Sequence, residues 1–266
     1  GAVQFSRERM KGSGTGATYD QEGQVLWLLK DARISIAPDA EGQGAAEGSA
    51  ETAGFARAEH YVRMTANAKI DGDGRHTEAD DITIQLSEDE MRVQTVQLRG
   101  NSRITGTGTG NTATQNMASR DIDLTYAPDG KVLQQAKLME GASVQLPGPS
   151  GAPGRQIASR NMIIGMAPDG STVTALDATE QVQVDLPAAP DSPARRITSA
   201  ALTATGPASA GLQNATFTGN PEFRETHPGG RGTQPSERVA RSQRIIVETK
   251  PGFGDIEQAD FRGNVR

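Results

Sequence analysis

The chain has 266 residues, of which 35% are hydrophobic and 4% aromatic, and its formal net charge is −6. A negative chain argues against non-specific nucleic-acid binding, because such proteins gain affinity by neutralising phosphates with Lys and Arg. Cysteine is absent, which excludes disulfides and thiolate metal sites. The longest apolar run, Val25 to Leu29, is too short to span a bilayer.

The opening part of the chain predicts strands without a regular repeat. Within Phe5 to Ile36, the segments Val25 to Leu29 and Ala32 to Ile36 have the composition of strands. Gly12 to Ala17 matches a loosened dinucleotide-binding fingerprint, but that motif requires a following helix and a β-rich segment follows instead. Ala40 to Gly54 has the low-complexity Ala/Glu/Gly composition of a loop.

A repeated unit organises the rest of the chain, and its clearest copy runs from Ser119 to Leu146. The first half alternates apolar and polar residues with period two, the pattern of a strand with one buried face. A tight turn is predicted at Ala127-Pro128-Asp129-Gly130, because Pro presets φ and Asp-Gly tolerates unusual backbone angles. A second alternating segment follows and is broken at Glu140-Gly141. The unit is therefore strand, turn and long bent strand.

Further copies recur at a spacing of about 40 residues, which is typical of repeat architectures. They are Arg57 to Ile70 in shortened form, Ala79 to Ile104, Ser159 to Leu186, Ser199 to Phe223 and Ser242 to Arg266. Bends are predicted at Ala66-Asn67, Gly100-Asn101, Gly219-Asn220 and Gly263-Asn264. Because each repeat needs its neighbour to cover its apolar face, we predict one continuous domain over residues 1–266, built of about six repeats. The fold class is all-β and antiparallel, without significant helix.

The alternation also predicts which residues face the interior. Successive side chains of a strand point to opposite faces, so the apolar residues face inward and the intervening Asp and Thr face solvent. The predicted inward-facing residues are Ile82, Ile84, Leu86, Val96, Leu98, Ile122, Leu124, Tyr126, Leu138, Val144, Met162, Ile164, Met166, Val184, Leu202, Phe217, Phe223, Ile245, Val247 and Phe261.

No group of residues has the pattern of a catalytic or metal site. Asp71-Gly72-Asp73-Gly74 resembles the start of a calcium loop but lacks the spaced third acidic ligand and the closing Glu, which favours a hairpin turn. The three histidines, His60, His76 and His227, are not paired at metal-ligand spacing. We therefore predict a protein without enzymatic activity, bound metal or cofactor.

Two stretches resemble a known family. They are Gly14 to Ile34, which contains the Leu26-Trp27-Leu28-Leu29 strand, and Phe261 to Arg266. The Gly-Asn pair of the second stretch recurs in weaker matches at Gly100-Asn101 and Gly219-Asn220. Both are similar to the OstA-like family, the periplasmic lipopolysaccharide-transport β-jellyrolls of the LptA and LptC type. The resemblance covers nearly the whole chain, although about 40 residues per repeat is long for this family.

The resemblance implies a fold, a ligand and partners. The fold would be a long β-jellyroll with two facing sheets in an open V, and the inward-facing residues would line a groove for the acyl chains of lipid A. The ligand would be lipopolysaccharide or a related acylated glycolipid, carried towards the outer membrane. Other jellyroll transport proteins would dock by edge-strand pairing, and a location in the periplasm follows, with any membrane anchor lying outside these residues. The candidates for the partner edge are Ile256, Ala259, Asp260, Arg262 and Val265.

Two other functions remain open from the residues alone. The first is a structural β-solenoid or adhesin-like module whose interior is fully packed and holds no lipid. The second is a carbohydrate-active β-helix enzyme, which needs a recurring cluster of Asp, Glu or Arg on one exposed strand face, and no such cluster recurs in the sequence. An interior that is open or filled distinguishes the lipid carrier from the structural module.

Overall fold

The computed structural model describes residues 1–39, 42, 44–72, 74–106, 116–147, 154–188, 192–227, 234 and 236–266. These residues form strands and no helix, and all the strand pairs given below are antiparallel, which confirms the predicted all-β class. The strands are β1 Ala2–Arg7, β2 Met10–Thr15, β3 Ala17–Asp20, β4 Val25–Leu28, β5 Ala32–Ile36, β6 Ala46–Ala50, β7 Thr52–Ala56, β8 Tyr61–Gly72, β9 Arg75–Leu86, β10 Val93–Gly106, β11 Asn116–Tyr126, β12 Leu133–Leu146, β13 Arg155–Met166, β14 Val173–Leu186, β15 Ala194–Thr205, β16 Asn214–Thr218, β17 Glu222–His227, β18 Ser236–Arg241, β19 Arg244–Thr249 and β20 Ile256–Arg262.

The chain divides into two compact units. The first unit comprises Gly1–Thr107 with Ala118–Ala136, and the second comprises Gly108–Met117 with Lys137–Arg266. Strands β11 and β12 are divided between them. The prediction of one continuous domain stays a prediction. In the described part of the chain, no helix is long and apolar enough to cross a membrane.

In the first unit, strand β8 splits the ladder into two arms. Its first half, up to Thr65, pairs with β7, which continues to β4 and β3. Its second half, from Lys69, pairs with β6, which continues to β5, β2 and β1. We call these arms layer A and layer B of the first unit. Strand β9 pairs with β8 along both halves and extends both layers.

In the second unit, strand β15 splits the ladder in the same way. Its second half, Ala201 to Thr205, pairs with β16, which continues to β19 and β20, and these strands form layer A of this unit. Its first half, Ala194 to Thr198, pairs with β17, which continues to β18, and these form layer B. Strands β13 and β14 extend both layers.

Every predicted bend is a pair of residues in the left-handed backbone region. Gly100 and Asn101 have φ values of 72° and 49°, and Gly219 and Asn220 have 82° and 58°. Ala66-Asn67, Glu140-Gly141 and Gly263-Asn264 are also left-handed in both residues. Because Gly and Asn reach this region most easily, their pairing allowed the bends to be predicted from sequence. The bend at Glu180-Gln181, with φ of 62° and 56°, contains neither residue type and was not predicted.

A serine lies at the bend in strands β11, β13 and β15, and another lies between β18 and β19. The hydroxyl groups of Ser119, Ser159, Ser199 and Ser242 each donate to the carbonyl oxygen two residues ahead, at 2.6, 2.8, 2.9 and 2.9 Å. Such a bond satisfies a carbonyl group where the strand ladder is interrupted, and a carbonyl left buried without a partner is costly. This explains why the copies from the Ser119 repeat onward begin with Ser.

The predicted tight turns form with hydrogen bonds of one pattern. Ala127 N–H donates to Val132 O and Ala167 N–H to Thr172 O, both at 2.8 Å. Inside each turn the Asp carboxylate accepts backbone N–H groups, which holds the pKa of Asp129 below its ordinary value. A third turn of the same kind joins β9 and β10 at residues 87–92, where Asp89 takes the Asp position. This turn was not predicted from the sequence because residues 87–92 contain neither Pro nor Gly.

One predicted loop is wrong. Residues 46–56, which overlap the expected Ala40 to Gly54 loop, form strands β6 and β7. The small residues here make room for large neighbours: a Cβ on Gly54 would lie 2.8 Å from the Trp27 ring, and one on Gly48 would lie 3.0 Å from the end of Met64. The Ala/Gly composition therefore reflects close packing in a sheet and not a loop.

Candidate functional site: the apolar interior of each unit

Most of the predicted inward-facing residues are buried. The residues with 8% or less of their surface exposed are Ile82, Val96, Leu98, Ile122, Leu124, Leu138, Val144, Met162, Ile164, Val184, Leu202, Phe217, Ile245 and Val247. They alternate with residues that are half-buried or exposed, as the strand pleat requires. The alternation in the sequence thus assigned the inner face of these strands.

The remaining predicted residues are half-buried. They are Ile84, Leu86, Tyr126, Met166, Phe223 and Phe261. Leu86, Tyr126 and Met166 are the last residues of β9, β11 and β13. Each lies at the turn end of its strand, the end farthest from the bend, and we call these strand ends the rim. At the rim the inner face is therefore more accessible than near the bends.

Two buried residues of the second unit come from turns and were missed by the sequence reading. Phe253 and Leu212 are each only 1% exposed. The backbone N–H of Phe253 donates to the carbonyl of Leu212 at 2.7 Å, so the two turns lie side by side. Neither residue belongs to an alternating segment, and no sequence pattern indicated its burial.

An aromatic pair joins the two layers within each unit. In the first unit, Phe5 of layer B contacts Phe55 of layer A edge-to-face, with ring centroids 4.5 Å apart. In the second unit, Phe223 of layer B contacts Phe261 of layer A at 5.7 Å. Such pairs stabilise a fold by about 0.5–1.5 kcal/mol beyond the burial of their area. The contacts show that the layers of each unit face each other, as in a β-jellyroll.

Two ion pairs join the rims of the layers in the first unit. Arg7, at the end of β1 in layer B, lies 2.8 Å from Glu90 in the β9–β10 turn of layer A. Asp39, just after β5 in layer B, lies 3.1 Å from Lys131 in the turn between β11 and β12. These two contacts therefore connect the layers at the rim of the first unit.

Charged residues also lie on the inner face of layer B in the second unit. Arg155 is only 8% exposed, and its guanidinium donates to the carbonyl of Pro147 at 2.9 Å. Glu225 accepts from Arg195 at 2.9 Å and lies 2.8 Å from His227 Nε2. Burial acts to raise the pKa of Glu225, but the hydrogen bonds from Arg195 and His227 outweigh it and hold this pKa below its ordinary value.

The outer face of the same layer forms an open groove of about 840 Å³. Outward-facing side chains of β14, β15 and β17 line it, among them Asp185, Arg196 and Arg224. These charges are paired: Arg196 contacts Asp185 at 2.5 Å, and Arg224 contacts Glu237 at 2.8 Å. Arg195 and Leu186, whose side chains belong to the inner face, also border the groove.

The histidines make ion-pair contacts with carboxylates. His76 Nδ1 lies 2.6 Å from Asp71, a hydrogen bond that raises the pKa of His76 above 6.5 despite partial burial. His60 lies 3.4 Å from Glu90. Asp71 and Gly72 end β8 and Arg75 begins β9, as the predicted hairpin requires, while residue 73 is outside the described residues. Among the described residues, no three His, Asp or Glu side chains are placed to hold a metal ion.

The predicted partner edge is strand β20 and its C-terminal extension. Ile256, Ala259, Asp260 and Arg262 lie in β20, which pairs along one edge with β19. After the bend at Gly263-Asn264, Val265 is 56% exposed. No family model and no curated protein matches this chain.

Proposed function

We propose that this protein is a non-enzymatic carrier of an acylated lipid, such as lipopolysaccharide, whose acyl chains lie between the two layers of a unit. The observation that carries the proposal is the aliphatic lining of the inner faces. Ile, Leu, Val, Met and Ala predominate there, and the chain has only six Phe and one Trp. Flexible acyl chains fit between aliphatic surfaces without specific polar partners.

The rim supports the same proposal. Leu86, Tyr126 and Met166 are only half-buried, so apolar surface is accessible where the layers end. Contacts across the first-unit rim, such as Arg7 with Glu90, involve partly exposed side chains, and such pairs cost little to separate. Separation of the layers at the rim would admit a chain without breaking the strand ladders.

A second candidate function is a structural module with a packed interior. The observation that favours it is the complete burial of residues near the bends, since Ile122, Leu138 and Ile164 are each 0% exposed. Well-packed cores resist insertion of extra methylene groups. The two functions differ in one measurable property, which is contact between lipid and the inner face.

Site-specific photo-cross-linking tests the proposal. A photoreactive amino acid at Met166, on the inner face of the rim, should cross-link to added lipopolysaccharide. The matched control is Ile163, which lies on the same strand but is 40% exposed on the opposite face. Cross-linking at Met166 alone supports the carrier. Equal cross-linking at both positions, or none at Met166, favours the structural module.

We also propose that β20 docks a similar jellyroll by strand addition. An open strand edge presents unpaired N–H and C=O groups that can extend a ladder into another sheet. Successive N–H groups point to opposite edges of a strand, so of the variants Ala259→Pro and Asp260→Pro only one removes a donor from the free edge. We expect that folded variant to lose self-association or partner binding in analytical ultracentrifugation. Unchanged association in both folded variants would place the docking edge elsewhere.

A further inference from the structure

A row of charged residues crosses the inner face of layer B in the second unit. Strand pairing places Leu186 opposite Arg195, Arg195 opposite Glu225, and Glu225 opposite Arg238. The pair Gln156–Asp185 places the preceding residue, Arg155, level with Leu186. The order across the sheet is therefore Arg155, Leu186, Arg195, Glu225 and Arg238, which we call the cationic row.

The cationic row lies directly beside the apolar interior. The next row towards the bends consists of Ile157, Val184 and Ile197, which pair with one another in the ladder. Their exposed fractions are 0%, 0% and 1%. A ligand that contacts both rows would thus meet cations at one end and aliphatic side chains at the other.

Arg155 is a buried guanidinium with few hydrogen-bond partners. A guanidinium carries five N–H donors. Among the described residues, its one hydrogen bond is to the carbonyl of Pro147. Burial lowers the pKa of Arg155 below its ordinary value, and among the described residues the charge of Asp255 opposes this effect. Asp255 itself lies 3.9 Å from Lys250. A buried charge without a close counter-ion is unfavourable, and an anion beside it relieves that cost.

The remaining charges of the cationic row leave it positive. Glu225 is its one carboxylate, and it faces Arg195 at 2.9 Å and Arg238 at 3.8 Å. His227 lies 2.8 Å from the same carboxylate. Three guanidinium groups thus share one carboxylate within the row.

Arg195 keeps one side of the cationic row accessible to solvent. It has 18% of its side chain exposed, and it borders the open groove on the outer face of the layer. An anionic headgroup beside Arg195 would therefore remain accessible to solvent while its chain entered between the layers.

We propose that the cationic row is the headgroup site for an anionic acylated lipid. The anion, a phosphate or a carboxylate, pairs with Arg155 and Arg195, and the acyl chain runs along Ile157, Val184 and Ile197. Guanidinium groups suit both anions because they donate paired hydrogen bonds to two oxygens. This inference rests on the proposed lipid-carrier function and adds the position and charge of the headgroup.

Binding of three single-chain probes tests the inference. The probes are tetradecyl phosphate, myristate and the neutral tetradecanol, each below its aggregation concentration, with affinity measured by displacement of a fluorescent fatty acid. Arg155→Gln and Arg195→Gln should each weaken binding of an anionic probe by about tenfold or more, because hydrogen bonds to charged groups are strong. Affinity for tetradecanol should not change.

Arg196→Gln is the matched control, because this residue is the sequence neighbour of Arg195 but points to the outer face and pairs with Asp185. It should leave the affinities for all three probes unchanged. Arg195 is partly exposed, with 18% of its side chain accessible. Arg195→Gln therefore still tests the inference if Arg155→Gln does not fold. A loss confined to tetradecyl phosphate assigns the site to phosphates, and a loss confined to myristate assigns it to fatty acids.

The outcomes separate this inference from the proposed function. If the folded Arg195→Gln protein binds anionic and neutral probes as the wild type does, the headgroup site is wrong and the carrier function stands. If the wild-type protein binds none of the probes and no lipopolysaccharide, the carrier function is wrong and the headgroup site falls with it.

Discussion

Leu124 and Asp123 are sequence neighbours on opposite faces of β11. Leu124 is 5% exposed, whereas Asp123 is partly exposed and lies 2.6 Å from Arg99. We expect Leu124→Asp to destabilise the fold by about 4 kcal/mol or more, because it removes a core side chain and buries a carboxylate. Asp123→Leu should cost about 1 kcal/mol or less, since it breaks one partly exposed ion pair. Urea unfolding of both variants checks this, and equal losses would contradict the assignment of faces.

Gly100 and Gly141 differ in the space around them, although both have positive φ, 72° and 78°. A Cβ on Gly100 would lie 2.1 Å from the carboxylate of Asp80, whereas a Cβ on Gly141 would meet nothing within 4 Å. Gly141→Ala should cost about 1–2 kcal/mol for the left-handed backbone alone. Gly100→Ala should cost about 1–3 kcal/mol more because Asp80 must move. Thermal unfolding that ranks the two variants in the opposite order would show that the bends are placed wrongly.

Asp89 makes the stability of the β9–β10 turn depend on pH. The Ser87 hydroxyl, the Met91 N–H and Arg92 all favour its charged form and lower its pKa from 3.8 to about 2. A lowered pKa stabilises the folded state above pH 3.8 and loses that effect as pH falls towards 2. We therefore expect Asp89→Asn to lower the unfolding temperature near neutral pH and to have little effect near pH 2. A difference that persists at the lower pH would mean that ionisation of Asp89 is not its source.

At the scale of strands and turns, the sequence predicted features that follow from backbone chemistry. The bend at Gly219-Asn220 was predictable because both residue types reach positive φ easily. The bend at Glu180-Gln181 was not, because surrounding strand pairs impose it on residues that do not favour it. Strands β6 and β7 were not predicted because their Ala- and Gly-rich composition is typical of a loop. The structure shows instead that Gly54 leaves room for the Trp27 ring in the sheet.

In the candidate site, too, some features were predictable from the sequence and others were not. Inward-facing residues such as Ile122 and Val184 were predictable from alternation, since that pattern follows from strand geometry. The burial of Phe253 and the alignment of Arg155 with Arg195 were not, because both depend on which turns and strands become neighbours. Pairing between distant segments leaves no signal in the pattern of a single strand.

The ion pairs across the first-unit rim should couple the two layers weakly. Arg7 and Glu90 have 42% and 15% of their side chains exposed. We expect a double-mutant cycle of Arg7→Ala and Glu90→Ala to give a coupling free energy of about 0.3–1 kcal/mol, as for other partly exposed pairs. The coupling should shrink at high salt. A coupling near zero at low salt would show that this contact does not hold the rim.

At the scale of the whole molecule, an aromatic pair connects the two layers of each unit, in addition to the bends. Phe5 with Phe55 and Phe223 with Phe261 use four of the six Phe residues in the chain. Outside these pairs the inner faces are mostly aliphatic. This distribution favours an interior that adapts to acyl chains over one that recognises a rigid ligand.

Native mass spectrometry of the purified chain tests the carrier function most directly. After incubation with lipopolysaccharide, the wild-type protein should retain a bound lipid at a defined stoichiometry, and Asp123→Leu should do the same. Folded inner-face variants, such as Met166→Gln at the rim, should retain less. A wild-type spectrum that contains only the bare 28.0 kDa chain, with and without added lipid, would contradict the account.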